Sequence, residues 1–120
     1  MSAVTIDLPF PISANGLFAN VKGRGRVRSK RYTEWAHTAG WMLQSQRPAH
    51  VAGPFVLCLV VQRKDNRRRD LSNLVKSVED LLVHHDVIDD DSLAERIHLT
   101  WGDAPEGCRV TVQALSEVQQ

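Results

Sequence analysis

The sequence of 120 residues lacks any long hydrophobic run, and no apolar stretch approaches the roughly 20 residues that a membrane-spanning helix needs. We therefore expect no membrane partner. Only two cysteines are present, Cys58 and Cys108, which excludes a disulfide framework and indicates buried thiols in a reducing, cytoplasmic compartment. Residues 1–10 lack the basic start and apolar core of a signal peptide, so secretion is not expected.

Motifs of several other site classes are absent as well. The cysteines form no C-x-x-C pair and the histidines show no H-x-x-x-H spacing, so a zinc site is not predicted. No glycine-rich phosphate loop follows a predicted strand, and the acidic stretch 86–95 lacks the glycine and the order of an EF-hand. Repeats and internal linkers are also missing, so residues 1–120 are expected to form a single domain.

Charge is unevenly distributed, although the formal net charge is only +1. Of the 15 lysines and arginines, six lie in residues 22–31 and six in residues 63–76, while six of the 14 acidic residues lie in residues 79–91. A concentrated basic surface attracts polyanions because binding releases condensed counterions. Solvated loops would give the same composition, so charge alone is only a hint of nucleic-acid binding.

The apolar pattern predicts an α/β (α+β) fold in the order β-α-β-α-β-β, with two main helices packed on a single mixed sheet. Strands are predicted at residues 3–8, 55–62, 96–102 and 108–115. Helices are predicted at about 30–46, with Ser29 as N-cap, and at 71–83. The continuous apolar run 55–62 indicates a central strand buried on both faces. The basic, glycine-containing segment 20–30 is expected to be a mobile loop or an irregular hairpin.

The second predicted helix begins with an unusual set of polar residues. Asp70 takes the N-cap position directly after three arginines. Opposite the apolar stripe, neighbouring polar side chains occupy one side of the helix: Ser72, Asn73, Lys76 and Asp80. A capping carboxylate followed by a solvated face with a Lys76–Asp80 ion pair is the simpler interpretation. Capping alone does not account for the adjacent arginines.

An acidic run, Asp89 to Asp91, follows roughly 20 residues later and directly precedes a predicted strand. Adjacent carboxylates repel one another, and a bound cation reduces that cost. Mg²⁺ prefers one or two carboxylates together with water and phosphate oxygens. Asp70 and either Asp90 or Asp91 could converge on such an ion if the helix packs beside the following strand. The alternative is an ordinary acidic turn.

Together these features predict a metal-dependent phosphodiesterase that acts on nucleic acid. Carboxylate-bound Mg²⁺ can activate a water molecule and polarise a phosphate. A lysine on the same face can stabilise the charge that develops during hydrolysis. Neighbouring arginines can hold flanking phosphates without reading the base sequence.

The stretch "RRRDLSNLVK" followed by "DDSL" resembles the RusA family of Holliday-junction endonucleases. The family pattern is an arginine-rich run, D-x-D-N-L-x-K, an amphipathic helix and a D-D loop before a strand. The stretch "LPFPISAN" is similar to the N-terminal strand, proline turn and Ser-x-Asn signature of the family. The resemblance spans nearly the whole chain and implies a RusA-like fold. The family is typically phage- or prophage-encoded, which implies the cytoplasm of a bacterial or phage-infected cell.

The resemblance assigns roles to five positions. It implies that Asp70, Lys76 and Asp91 are catalytic, and that Asp70, Asp90 and Asp91 bind Mg²⁺, for which Mn²⁺ can substitute. Asn73 takes the position of the motif asparagine.

Ser72 departs from the pattern, because the family usually has its second motif aspartate there. Serine removes one formal negative charge from the site, and Asp80 or Asp90 is expected to compensate. We expect activity to be retained. The alternative is a junction-binding protein that has lost productive catalysis.

The resemblance further implies a homodimer that resolves branched DNA, the four-way junction, during recombination and repair. Two symmetric nicks require two active sites related by a two-fold axis. Two groups of basic residues are expected to hold the DNA arms: Lys22, Arg24, Arg26, Arg28, Lys30, Arg67, Arg68 and Arg69.

Overall fold

The computed structural model describes residues 3–118 as a four-stranded mixed sheet, a two-stranded hairpin and two main helices. The strands are β1 (Ala3–Leu8), β2 (Phe18–Val21), β3 (Gly25–Arg28), β4 (Phe55–Val61), β5 (Ala94–Trp101) and β6 (Cys108–Ala114). The helices are α1 (Lys30–Gln46) and α2 (Val75–His84). The predicted fold class is confirmed, and the predicted element order is confirmed apart from the hairpin strands β2 and β3.

The four-stranded sheet has the order β1-β6-β4-β5. Strand β6 is antiparallel to both of its neighbours, whereas β5 runs parallel to β4. Parallel neighbours need a crossover connection, and here α2 provides it. The basic loop that follows β4, the start of α2 and the acidic run before β5 therefore all belong to one crossover.

Both helices pack against the same face of the sheet. On the central strand, Phe55, Leu57, Leu59 and Val61 are fully buried against them, whereas Cys58 on the opposite face is only partly buried. The second face of β4 is only partly covered, because Val56 is buried whereas Cys58 and Val60 are partly exposed, so the prediction of burial on both faces is confirmed only in part. For the same reason Cys58 is not a core thiol.

Cys108, by contrast, is fully buried as predicted. Its burial raises the pKa of the thiol to about 12.

Helix α1 begins as the sequence predicts. The backbone N–H of Tyr32 donates to the Ser29 hydroxyl at 3.0 Å, which makes Ser29 the N-cap. Buried Tyr32, Trp35 and Leu43 repeat at helical spacing, whereas Trp41 points away and is 71 % exposed. Within residues 3–118, no helix is both long enough and apolar enough to cross a membrane.

The basic segment after the proline turn forms an antiparallel hairpin of β2 and β3. Gly23 and Gly25 adopt positive φ at its tip, where other residues would be strained. The ring of Phe18 lies beneath two guanidinium groups, those of Arg26 at 4.3 Å and Arg28 at 4.6 Å. Because the hairpin contacts are cation–π contacts on an exposed surface, no apolar alternation announces these strands in the sequence.

Candidate active site

The second helix starts with a 3₁₀ turn, Leu71–Leu74, which continues into α2. Asp70 precedes this turn with an extended backbone, and its carbonyl oxygen accepts a hydrogen bond from the Asn73 N–H at 3.1 Å. Its carboxylate makes no capping hydrogen bond, so the capping interpretation of that side chain is wrong. Asp70 directly precedes this turn, Asn73 lies within it and Lys76 lies in the first turn of α2.

The Asp70 carboxylate lies in a basic groove of about 560 Å³. Its charged and polar lining comes from the proline turn, the start of α1 and the loop after β4: Ser13, Asn15, Arg31, Lys64, Arg67, Arg68, Arg69, Asp70 and Asn73. Cations thus surround a single carboxylate, and phosphate is the kind of ligand that such a groove attracts.

The cations of the basic groove are not equivalent. Arg69 donates to both oxygens of Asp65, at 2.5 and 3.0 Å, and lies over the Phe10 ring together with Lys64. These hydrogen bonds, above all those from Arg69, hold the pKa of the Asp65 carboxyl well below its usual range. Arg67 and Arg68 are exposed and form no ion pair with any residue among 3–118. Arg69 therefore holds the loop in place through its ion pair with Asp65, while Arg67 and Arg68 remain available to phosphates.

Next to the basic groove, Lys76 forms a lysine cluster with Arg28, Asp80 and Asp91. Lys76 Nζ donates to Asp91 Oδ2 at 2.6 Å and to Asp80 Oδ1 at 3.0 Å, while Arg28 Nη2 donates to Asp80 Oδ2 at 3.0 Å. The hydrogen bond to Asp91, followed by that to Asp80, raises the pKa of Lys76. These groups and Asp90 line a hollow of about 390 Å³.

The three aspartates of the acidic run have separate partners. Asp89 accepts hydrogen bonds from His50 Nε2 and from the Gly53 N–H, each at 2.8 Å, and the Gly53 bond is the main reason why its pKa is lowered. Asp90 accepts from the hydroxyl and the N–H of Ser92, which lower its pKa in that order. Asp91 pairs with Lys76. Protein groups thus offset the repulsion that, in the sequence, favours a bound cation.

The predicted metal ligands are only partly brought together. Asp90 and Asp91 share the hollow of the lysine cluster, whereas Asp70 lines the basic groove. Among residues 3–118, no three His, Cys, Asp or Glu side chains are grouped closely enough to hold a metal ion. The carboxylate oxygens that are present still suit Mg²⁺, which needs only one or two of them.

Of the other predicted residues, Ser72 is exposed at the start of the helix and Asp80 is bound to two cations. Lys22, Arg24 and Lys30 are exposed in or beside the hairpin. Whether they contact DNA stays a prediction.

Sequence reasoning gave no role to Glu79, a carboxylate in the second turn of α2. It is buried, and burial raises its pKa, with a further rise from the negative charge of Asp91. The sequence feature that could have identified Glu79 is its position, as an acidic residue, beside the apolar stripe of the helix. Arg31, which the sequence groups with the basic segment 22–31 expected to contact DNA, lines the basic groove from the first turn of α1.

The family model of the endodeoxyribonuclease RusA family matches residues 9–113 of the chain. The chain belongs to the RusA family. Membership implies a nuclease that resolves Holliday junctions. The RusA match includes the proline turn, the hairpin and the whole crossover that carries the basic groove and the lysine cluster. None of the curated proteins that were compared matches the chain.

Proposed function

We propose that this protein is a Mg²⁺-dependent endonuclease that resolves four-way DNA junctions by paired symmetric nicks in recombination and repair. The observation that carries the proposal is the ion pair of Lys76 with Asp91 at 2.6 Å, which puts an ammonium and a carboxylate next to the basic groove. A groove rich in unpaired cations would hold the phosphodiester backbone, and the neighbouring cluster would act on it.

Asp90 and Asp91, which share the hollow, are proposed to hold the ion, with Asp70 as a third ligand that would approach it from the basic groove. Their oxygens are the hard ligands that Mg²⁺ prefers, and phosphate and water oxygens would complete its coordination. Mn²⁺ is expected to substitute because carboxylate and water ligands suit it as well. When bound, the ion supplies Lewis acidity and a water of lowered pKa.

The remaining roles belong to side chains of this chain. The Lys76 ammonium would neutralise negative charge that develops on the phosphoryl oxygens. Its hydrogen bonds to Asp91 and Asp80 raise its pKa and keep it protonated. Arg67 and Arg68 would hold the flanking phosphates.

We propose a homodimer as the active form, because a four-way junction has approximate two-fold symmetry and needs two nicks. Sedimentation equilibrium is expected to give twice the mass of the chain. A monomer that still makes paired, symmetric nicks would contradict the dimer.

The test of the proposed activity is nicking of a synthetic mobile four-way junction. Wild type is expected to nick with Mg²⁺ or Mn²⁺, whereas Asp70→Asn and Lys76→Ala lower the single-turnover rate by on the order of a hundredfold or more. Asp103→Asn changes an exposed loop carboxylate and serves as the matched control. Nicking that survives both site substitutions unchanged would overturn the site, and no nicking by wild type at any metal concentration would overturn the activity.

A catalytically weakened junction-binding protein is the second candidate. Two observations favour it: Ser72 at the start of the helix is exposed and neutral, and Asp91 is already paired with Lys76. This candidate predicts salt-sensitive binding of junctions without cleavage.

A further inference from the structure

Asp80 connects two elements that are far apart in the sequence. One turn of α2 after Lys76, its Oδ1 accepts from the Lys76 ammonium and its Oδ2 accepts from the Arg28 guanidinium, each at 3.0 Å. The Asp80 side chain is 15 % exposed, against 42 % for Arg28 and 46 % for Lys76. The carboxylate is thus the buried centre of a three-residue bridge from the hairpin to the helix.

Arg28 is held from three sides at the base of the hairpin. Besides the bond to Asp80, its guanidinium lies 4.6 Å from the ring centres of both Phe18 and Tyr32. A planar cation that stacks on rings and donates to a carboxylate has little freedom to follow a DNA backbone.

The tip of the hairpin differs from its base. Lys22 and Arg24 are exposed there and form no ion pair with any described residue of the chain. Arg28 is therefore not interchangeable with them, although the sequence groups all three as DNA-binding cations.

We propose that Asp80 is a positioning residue that fixes the hairpin base through Arg28 and, with its other oxygen, orients the ammonium of Lys76. DNA that the hairpin tip holds is thereby set at a fixed distance from the lysine. The inference rests on the proposed nuclease function for its kinetic consequence. Its structural part, the attachment of the hairpin through Asp80, does not depend on DNA.

The inference separates binding from cleavage. Loss of a tip cation removes one phosphate contact, so junction affinity should fall while the rate of the bound complex stays the same. Loss of the Arg28–Asp80 bridge should leave affinity nearly unchanged and lower the rate, because small displacements of a reacting group cost much in catalysis.

The first experiment is limited trypsin digestion of the free protein, which needs no nuclease activity. Asp80→Asn and Arg28→Gln are expected to open the hairpin, with tryptic cleavage between residues 22 and 31 about three- to fivefold faster than in wild type. Asp103→Asn is the carboxylate control, and thermal melts identify any variant whose whole fold is weakened. Hairpin cleavage at the wild-type rate in a folded Asp80→Asn protein would overturn the inference.

The second experiment compares junction affinity in Ca²⁺ with the single-turnover nicking rate in Mg²⁺. Asp80→Asn is expected to change affinity less than about threefold and to lower the rate by on the order of tenfold to a hundredfold. Arg24→Ala, the matched hairpin control, is expected to weaken junction affinity and to leave the nicking rate of the bound complex unchanged. A rate loss in Asp80→Asn that merely follows weaker binding contradicts a positioning role.

A charge exchange tests whether one carboxylate must serve both cations. The double variant Arg28→Asp with Asp80→Arg restores an ion pair between hairpin and helix but puts a cation beside Lys76. Protection from trypsin should return without recovery of the nicking rate. Recovery of both would show that Asp80 acts on the hairpin alone. If no protein, including wild type, nicks a junction, the proposed function fails while the trypsin result still decides the bridge.

Discussion

The basic groove and the lysine cluster lie along the same helix but treat charge in opposite ways. In the groove, five cations face one carboxylate, and Arg67 and Arg68 have no acidic partner among residues 3–118. In the lysine cluster, each cation is bonded to a carboxylate, and Asp80 is bonded to two. Unbalanced charge recruits a polyanion from solution, whereas balanced charge fixes side chains in one geometry. On this basis we propose that the groove binds DNA and that the cluster carries out the chemistry.

The largest expected effect comes from removal of the carboxylate that pairs with Lys76 at 2.6 Å. Asp91→Asn should lower single-turnover junction nicking by on the order of a hundredfold or more, because a proposed metal ligand and the Lys76 partner are lost together. Junction affinity in Ca²⁺ should be retained, since the groove is untouched. Equal losses of junction affinity and nicking rate would contradict the proposal that the groove binds DNA and the cluster cleaves it.

The matched control for Asp91 is its neighbour Asp89, which serves the fold. Asp89→Asn weakens hydrogen bonds from His50 and Gly53, so the melting temperature should fall by roughly 3–6 °C. Nicking by the protein that remains folded should stay near the wild-type rate. A rate loss as large as that of Asp91→Asn would show that the acidic run acts as one unit.

The second effect concerns the arginines of the groove. Replacement of Arg67 and Arg68 by alanine should weaken junction binding and lower the slope of log affinity against log salt by about two. Arg69→Ala should change that slope less, because Arg69 is paired with Asp65, and should instead expose the loop to protease. Equal changes in the salt slope for all three arginines would contradict the distinction between Arg67 and Arg68, which are proposed to bind phosphates, and Arg69, which is paired with Asp65.

Most of the fold follows from local pattern. Ser29 caps α1 because its hydroxyl needs only the N–H three residues later, and the stripe of α2 repeats every three to four residues. The hairpin was harder to predict, because its strand residues are largely exposed and show no alternation of apolar and polar side chains. The incomplete burial of the second face of β4 could not be predicted either, since a continuous apolar run does not tell which side the helices cover.

The contacts of the candidate site were only partly predictable, and the Lys76–Asp80 ion pair, predicted from its i,i+4 spacing on the helix, is confirmed. The Arg69–Asp65 pair is local, but it lies in an irregular loop, where an i,i+4 spacing alone predicts no contact. Lys76 and Asp91 are 15 residues apart, and their contact exists only because the crossover returns beside the helix. Asp80, expected to compensate for Ser72, is instead occupied by two cations, one of which comes from the hairpin.

A smaller gain is expected from restoring the motif carboxylate. Ser72→Asp adds a negative charge at the exposed start of the helix, beside the proposed Asp70 ligand, and should raise nicking at low Mg²⁺ by about threefold to tenfold. Ser116→Asp, an equally exposed serine near the other end of the chain, is the control. If wild type binds junctions without nicking and Ser72→Asp alone nicks, the binding-protein alternative is correct.

The smallest effect lies outside both regions and tests whether the acidic run is divided as the contacts suggest. His50 Nδ1 lies 2.6 Å from the Asp86 carbonyl oxygen and Nε2 lies 2.8 Å from Asp89. Both neighbours are hydrogen-bond acceptors, so the two hydrogen bonds form together only when both ring nitrogens carry a proton. The bond to the Asp86 carbonyl, followed by the bond to Asp89, raises the pKa of His50 above its ordinary value near 6.5.

Because the folded pKa is the higher one, the contribution of His50 to stability is complete below about pH 6.5 and is lost as pH rises through the folded pKa. Wild type should therefore unfold more easily at about pH 9 than at about pH 6, and His50→Gln should flatten this dependence. Glu79 also has a raised pKa, above all because of its burial, so the effect of His50 is read as the difference between wild type and His50→Gln at each pH, in which the contribution of Glu79 cancels. His84→Gln, an exposed histidine beside the lysine cluster, is the control and should keep the wild-type profile. If His50→Gln left the pH dependence of stability unchanged, this would contradict the proposal that Asp89 stabilises the fold while Asp91 takes part in the site.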